Sequence, residues 1–434
     1  MYLKNLKNYF FNVEIGFLTI ISLGISYLTI YAVVYFLYVL FKKNKDREHS
    51  LFHPAISFII PILNEEDNLH RAIGSILSQE YSGPIEIIAI DDGSTDKSRA
   101  ILKDYEKKGL IKLIKKNEPG KPTGKISSVN LGIKEAKHEI IGILDADSYL
   151  NNDAVKNMIG EFENPEVGAV VPIQKVHKPR NLLERMQTIE YTLSMCTRKI
   201  ISDTGSLFMT HGVGCLFKKK AVQEVGCFEK NTLTEDLNIG LKLSKKGYKI
   251  KSNFKAIGYT VVPKKTKQVI KQRLRWNGGL FENSYWFKDL FFNKKYGNMG
   301  LFILPLNLIW SGASVYITLM WLKDFIQNTY YDIKDLIITN YDWIYFFKNK
   351  LDSLLKFHLN ELTILSIISI IMFLSFYFII SRKIKLSIKE SLLSYLLLPF
   401  YFTIFLTLNA ITLILTPIYL KQKGGKPWLT DKII

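Results

Sequence analysis

The feature that most restricts how this chain can fold is an apolar run without a single charge, Ile15 to Phe41, 27 residues long. As a helix rising about 1.5 Å per residue it covers about 40 Å. That exceeds the roughly 30 Å of a bilayer's hydrocarbon core, so it can cross with tilt. It is expected to be a span and not a cleaved leader, because its apolar core is too long and no small-residue cleavage site follows. Lys42, Lys43, Lys45 and Arg47 come after the run and only Lys4 and Lys7 before it. The positive-inside rule then places the next part of the chain in the cytosol. Met299–Leu322, Leu362–Ile380 and Leu392–Leu420 are three further candidate spans, and residues 323–361 read as a loop outside the membrane with short amphipathic pieces. Arg382, Lys383, Lys385 and Lys389 suit a cytosolic loop. Four spans leave the C-terminus outside, whereas Lys421, Lys423 and Lys426 favour the inside, and the sequence holds both signals.

Hydrophobic residues make up 48% of the chain but gather in those runs, and the formal net charge is +19. Such an excess can mark a nucleic-acid footprint, or a domain that rests on an anionic leaflet and handles phosphorylated ligands. The long apolar runs, and the lack of a nucleic-acid reading module, favour membrane lipids as partners and no nucleic acid. Three cysteines, Cys196, Cys215 and Cys227, show no CxxC spacing, which argues against a disulfide framework or a zinc site. His211 is the one histidine near a motif, and a structural, hydrogen-bonded role is expected for it.

Between His53 and Pro263 the pattern changes. Ala55–Ile62, Ile85–Ile90 and Glu139–Leu144 are short apolar runs, each followed by polar residues, with helical spacing over Asn68–Gln79 and Asp96–Lys107. Buried strands alternating with helices predict an α/β domain with a parallel sheet. Ligands of such sheets bind beyond the carboxyl ends of the strands, where these polar clusters fall.

Asp145-Ala146-Asp147 follows one such run. Residues two apart on extended backbone face the same side, so both carboxylates can address one point past the strand end. Hard oxygens suit Mg²⁺ or Mn²⁺; a solvated turn is the plainer alternative. Asp91-Asp92-Gly93-Ser94 puts two carboxylates before a turn glycine, able to accept from a uracil N–H or ribose hydroxyls, with Ser94, Thr95 or Asp96 free to cap the next helix. Pro61-Ile62-Leu63-Asn64-Glu65-Glu66 ends the first run. Gly124-Lys125 places a lysine at a loop-to-helix junction, suited to a diphosphate. Thr234-Glu235-Asp236 precedes a helical pattern; a carboxylate there can be a general base, and Thr234 a helix cap. Gln272-Arg273-Leu274-Arg275-Trp276 offers an arginine for phosphate and a flat indole for a sugar ring, though Arg and Trp also populate membrane interfaces.

In this order the motifs resemble the family-2 inverting glycosyltransferases of GT-A fold, and among them the membrane-bound cellulose, chitin, hyaluronan and poly-N-acetylglucosamine synthases. The resemblance covers about residues 54–276 plus the flanking spans. It implies a metal-dependent hexosyltransferase using a UDP-linked nucleotide-diphosphate sugar. Pro61, Glu65, Asp91 and Asp92 would meet the nucleoside, and Lys125 the donor. Asp145 and Asp147 would hold Mg²⁺ or Mn²⁺, Asp145 on the nucleotide side. Asp236 would be the catalytic base. Glu235, Gln272, Arg275 and Trp276 would serve the diphosphate and acceptor. His211-Gly212-Val213-Gly214-Cys215 matches a glycine-containing acceptor loop only loosely.

The expected architecture is a GT-A, Rossmann-like nucleotide-sugar domain inserted between transmembrane helices. Residues 1–48 hold the first span and 49–276 the cytosolic catalytic domain. Residues 277–298, rich in aromatics and lysines, form an interfacial amphipathic segment, or alternatively an ordinary core helix. Residues 299–434 form a membrane region with about three spans. The expected product is a growing β-linked polysaccharide in an integral, multi-pass cell-membrane protein. A single addition to a lipid or lipid-linked acceptor is the alternative, and a non-catalytic protein with a degenerate domain is disfavoured because every expected carboxylate is present.

Overall fold

The computed structural model describes residues 52–348, 361–384 and 386–422; the expected first span, with Lys385, Lys423 and Lys426, lies outside them. Among the described residues, 52–315 and those of 383–422 make one compact unit, and those of 316–382 another.

The first unit is built on one sheet of β1 (Ile56–Ile62), β2 (Ile85–Asp91), β3 (Lys112–Lys115), β4 (Ile140–Leu144), β5 (Ser148–Leu150), β6 (Val167–Val176), β7 (Val213–Lys218) and β8 (Lys249–Thr260), in the order β3-β2-β1-β4-β7-β6-β8-β5. β1 and β4 are buried along their whole length. They are therefore continuously apolar instead of alternating, as a strand covered on both faces must be. Helices α1 (Leu69–Leu77), α2 (Ser98–Lys107), α3 (Lys125–Glu135), α4 (Ala154–Ile159), α5 (Leu182–Asp203), α6 (Lys219–Glu224) and α7 (Glu235–Lys246) connect the strands. One apolar core includes Phe58, Ile60, Ile73 and Leu102, and a second includes Ile59, Ile88, Val129 and Phe217.

The expected parallel sheet holds for β1–β4. Beyond them the sheet is mixed, because β7 runs antiparallel to both β4 and β6. The reversal has a local consequence. Leu144, the last residue of β4, is paired with Val213, the first of β7. The start of β7, and not its end, thus lies at the edge where the polar clusters gather.

α8 (Thr266–Trp286) carries the whole Gln272–Trp276 motif and continues through the segment expected to begin a separate interfacial piece at 277. Asn277, Gly278, Gly279 and Asn283 are buried, while Tyr285 and Trp286 are exposed. This stretch is thus a core helix on one face and aromatic on the other. A π-helical turn, Met299–Ile303, leads into α9 (Leu304–Ile338). Among the described residues, Met299–Ile338 is the helix long and apolar enough to cross a membrane, by length and composition. The loop expected from residue 323 is a continuation of this helix. No glycine or proline interrupts it after Gly312, and it stops where Asn340 and Tyr341 turn to positive φ. α10 (Glu361–Lys383) coincides with the third expected span. The fourth is broken into α11 (Ile388–Phe400), a π-helical turn at Tyr401–Phe405, and α12 (Leu406–Gln422). Pro399, in the last turn of α11, cannot donate to the helix ladder, and the π turn follows it directly. α12 packs on α8 and α11 on α5.

Candidate active site

The loops after β1 and β2 are tied to each other by hydrogen bonds. The Asn64, Glu65 and Glu66 N–H groups donate to Ser94 Oγ, Ser98 Oγ and Asp96 Oδ2, and the Thr95 N–H returns to Asn64 Oδ1. Asp96 also accepts from the Ser98 N–H (2.9 Å) just ahead of α2, whose N-cap position is held by Lys97 without a side-chain cap. Glu65 accepts from Asn68 Nδ2 (3.0 Å), and Pro61 sits inside β1 opposite Ile90.

The two carboxylates expected to face the nucleoside are engaged with the chain. Asp91 is fully buried, accepts the Ser94 N–H and pairs with Arg99. Asp92 pairs with Lys116 (2.9 Å) and accepts from Asn117 Nδ2 and from the Thr123 and Gly124 N–H groups. Gly124 has φ 100° and ψ 154°, a conformation open to glycine alone, and it directly precedes Lys125, the first residue of α3. Asp92 therefore pins the backbone that aims Lys125.

Lys125 is the hub. Its Nζ lies 2.7 Å from Asp145 Oδ1 and 2.9 Å from Glu235 Oε1. Burial acts against its charge, but Asp145, Glu235 and Asp236 outweigh burial and hold it well above the ordinary lysine range. Asp145 enters from the end of β4, with its N–H on Gly212 O (2.7 Å). A Cβ on Gly212 would collide with the Asp145 carboxylate, so the glycine is what lets the start of β7 close against the acid. Burial first, and the Asp147 charge among other causes, raise the Asp145 pKa. Asp147 accepts from Ser148 Oγ (3.0 Å).

Glu235 and Asp236 open α7 at its N-terminus, where acids suit the helix dipole. The Thr234 side chain does not cap this helix; its Oγ1 accepts from Asn283 Nδ2 of α8 (3.2 Å). Burial opposes ionisation of Glu235, yet Lys125 and Arg275 bring its pKa to about 2. Burial and the Glu235 charge push Asp236 up to about 7. Thr210 Oγ1 donates to the Asp236 carbonyl (3.0 Å), while the Asp236 carboxylate accepts no hydrogen bond from the described residues.

From α8, Arg275 Nη1 donates to the Leu233 carbonyl (3.2 Å), and Gln272 Oε1 is buried without a partner among the described residues. Trp276 packs against Val176, Tyr191 and Val262, and the Arg273 guanidinium lies 4.4 Å from the indole centroid. One face of the indole, read from sequence as free for a sugar, is therefore covered by Arg273, which also pairs with Glu190. His211 is structural, as expected: its Nε2 lies 2.9 Å from the Pro172 carbonyl, and burial lowers its pKa to about 3.

Lys125, Asp145, Glu235, Asp236 and Arg275 thus gather at the carboxyl ends of the strands; Asp91 and Asp92 stand behind them. No group of three or more His, Cys, Asp or Glu side chains suited to a metal forms among the described residues. Two carboxylates at one strand end nevertheless fit Mg²⁺ or Mn²⁺, which bind few protein ligands and complete their shell with phosphate and water. Gly212 and Arg273 stood in motifs quoted from sequence, but the roles found here, a close approach to Asp145 and a cover over the Trp276 indole, were not read from it.

Residues 57–226 match the sequence profile of Glycosyl transferase family 2. Over 409 residues, 92% of this chain and 93% of the relative, the sequence is 31% identical to a poly-β-1,6-N-acetyl-D-glucosamine synthase of Staphylococcus epidermidis. The chain belongs to glycosyl transferase family 2. This family-2 chain is also 32% identical to the synthase of the same name from Staphylococcus aureus, over 62% of its own length and 64% of the relative's. Among solved structures it is similar to a mannosyltransferase of Pyrobaculum calidifontis in complex with GDP-Man and Mn²⁺, at 20% identity and a TM-score of 0.48, over 60% of this chain and 73% of that one. The family-2 domain is a mixed-sheet, Rossmann-like fold of the GT-A type.

Proposed function

We propose that this chain is a membrane-bound, inverting synthase that transfers N-acetylglucosamine from its UDP-linked donor to a growing β-linked polysaccharide. The observation that carries the reading is the division of labour at one strand edge: Lys125 binds Asp145 and Glu235, and the adjacent Asp236 carboxylate has its hydrogen bonds unspent. The sugar and linkage class rest on the relatives named above.

In this reading the donor diphosphate lies over Lys125 at the N-terminus of α3, with Arg275 offsetting its charge. Pro61 and Glu65 border the nucleoside, and Asp91 and Asp92 hold the loops that surround it. Asp145 and Asp147 would hold Mg²⁺ or Mn²⁺, which when bound offsets negative charge on the departing diphosphate. Asp236 takes the proton of the acceptor hydroxyl as that oxygen bonds to C1 of the sugar. The C1–O bond to the diphosphate breaks on the opposite face, and the nucleoside diphosphate leaves with the electron pair. Inversion at an α-linked donor gives a β-linkage. Gln272 and Trp276 lie on the acceptor side, where Glu235 steadies Lys125 and Arg275. The apolar runs of the sequence, with Lys42, Lys43, Lys45 and Arg47 after the first of them, support a site at the cytosolic face of the membrane.

The test is donor turnover and product size with the full-length protein in lipid, given Mg²⁺ or Mn²⁺ and a panel of nucleotide sugars. High-molecular-weight product from UDP-N-acetylglucosamine supports the reading. A lipid bearing one added sugar replaces the synthase with a single-addition enzyme, and no nucleotide release from any donor overturns transferase function.

A further inference from the structure

Arg198 lies on α5, whose inner face meets the acceptor side of the site. Glu190 on this helix pairs with Arg273, and Tyr191 packs against Trp276. Arg198 stands about two turns beyond Tyr191 on the same face. Its Nε and Nη1 are sealed from solvent and meet no acceptor in the described chain. Three of a guanidinium's five N–H donors are thus unspent. Burying an unpaired guanidinium is costly, so a protein that keeps one has a use for it in another state. Its surroundings indicate that use. Its charge acts on Asp236, Tyr191, Cys215 and His211. His211 directly follows Thr210, which holds the Asp236 backbone. No ion pair joins Arg198 to Asp236 among the described residues, so the buried donors of the one and the carboxylate of the other are both unspent within each other's electrostatic reach. Lys125 and Arg275 already serve the opposite, diphosphate side.

We infer that Arg198 is an acceptor-binding residue: its guanidinium donates to an oxygen of the acceptor sugar and so holds the reacting hydroxyl against Asp236. This rests on the reading of Asp236 as the base. A neutral polar saccharide is the ligand class, since its oxygens can accept from Arg198 while one of its hydroxyls gives its proton to Asp236.

The test compares wild type with Arg198→Met in the full-length protein in lipid, using UDP-N-acetylglucosamine and a soluble oligosaccharide acceptor. Acceptor KM is expected to rise about ten-fold or more, the loss expected for a hydrogen bond to a charged group. Donor KM, nucleotide affinity and donor hydrolysis by water should stay within about two-fold. The melting temperature of the ligand-free protein should not fall, because an unpaired buried charge has been removed; a purely structural arginine would lower it. Arg198→Lys keeps the charge but gives up the planar fork. It is expected to show the same rise in acceptor KM, and it carries the test if the Met variant does not fold. Equal losses in donor hydrolysis and transfer, or an unchanged acceptor KM, overturn the inference alone. A wild-type protein inactive with every acceptor and donor overturns the transferase reading, and the inference with it.

Discussion

In the first turn of α7, two neighbouring carboxylates differ in what they touch. Glu235 is bound to Lys125 and stays ionised; Asp236 is buried beside that charge, and its pKa of about 7 suits a group that takes and returns a proton near neutrality. Asp236→Asn should lower the transfer rate by about 10²–10⁴-fold while nucleotide binding, followed by calorimetry, is unchanged. The wild-type rate should rise as pH passes about 7, because the base acts deprotonated. The stability effect has the opposite sign. A carboxyl whose folded pKa is raised contributes stability below its ordinary range, and that contribution is lost as pH rises through the folded value. Asp236→Asn should therefore melt at a higher temperature than wild type at pH 8. Lys125→Ala should lower kcat/KM for the donor by about 10²–10³-fold, as for removal of one preorganised charge donor. Because Lys125 also lowers the Asp236 pKa, its loss should move the midpoint of the pH–rate profile upward. A lysine acting on the diphosphate alone would leave the midpoint in place. Asp145, Lys125 and Asp236 were legible in sequence as motif residues, Asp145 after an apolar run, Lys125 at a loop-to-helix junction and Asp236 just ahead of a helical pattern. The split between Glu235 and Asp236 was not, since it depends on a lysine distant in the chain. The pairing of Asp91 with Arg99 and of Asp92 with Lys116 was not legible either, because spacing reports carboxylates but not the partners that fold against them.

The antiparallel insertion of β7 brings the Thr210–Gly212 segment between two acids, with Thr210 on the Asp236 backbone and Gly212 against Asp145. A methyl group at Gly212 has to displace the Asp145 carboxylate. Gly212→Ala should therefore fold, with a destabilisation of about 1–3 kcal/mol for an overpacked site. Its donor KM should rise about ten-fold with little change in acceptor KM, as read from thermal melts and steady-state kinetics. An unchanged donor KM would mean that Asp145 does not serve the donor. This arrangement was hidden in the sequence for a physical reason. Apolar runs identify strands, but strand direction is set by the length and packing of the connections, here the 22-residue α5. The glycine-containing loop was noticed only as a loose match, because a close approach leaves no pattern in the loop's own residues. α8 shows the same limit. Its motif was legible, while its continuation to Trp286 is decided by Asn277 and Asn283, whose amides bond to Thr412 on α12 and Asn238 on α7.

At the scale of the whole molecule, Met299–Ile338 sets the strongest constraint. Its 40 residues extend about 60 Å, about twice the hydrocarbon thickness, so half of it must stand outside the bilayer if it crosses. Composition decides which half. Residues 299–322 carry no charge, whereas Lys323, Asp324, Asp332, Lys334 and Asp335 follow on the same helix. On the proposed placement of residues 49–276 in the cytosol, the charged half, ending at Asn340, is expected on the outer side. Variants with one accessible cysteine can test this in intact cells with a membrane-impermeant maleimide. Cys227 is half-exposed and is replaced by serine. Cys196 and Cys215 can stay, since burial pushes both thiols far above their ordinary range and keeps them unreactive. Asn340→Cys should be labelled in intact cells, and Ser314→Cys should be protected there and after permeabilisation. Labelling of Asn340→Cys only after permeabilisation would place this end in the cytosol and overturn the crossing. Labelling of Ser314→Cys in intact cells would show that the apolar half lies in water, and the aromatic face of α8 would then be the surface to examine for membrane contact.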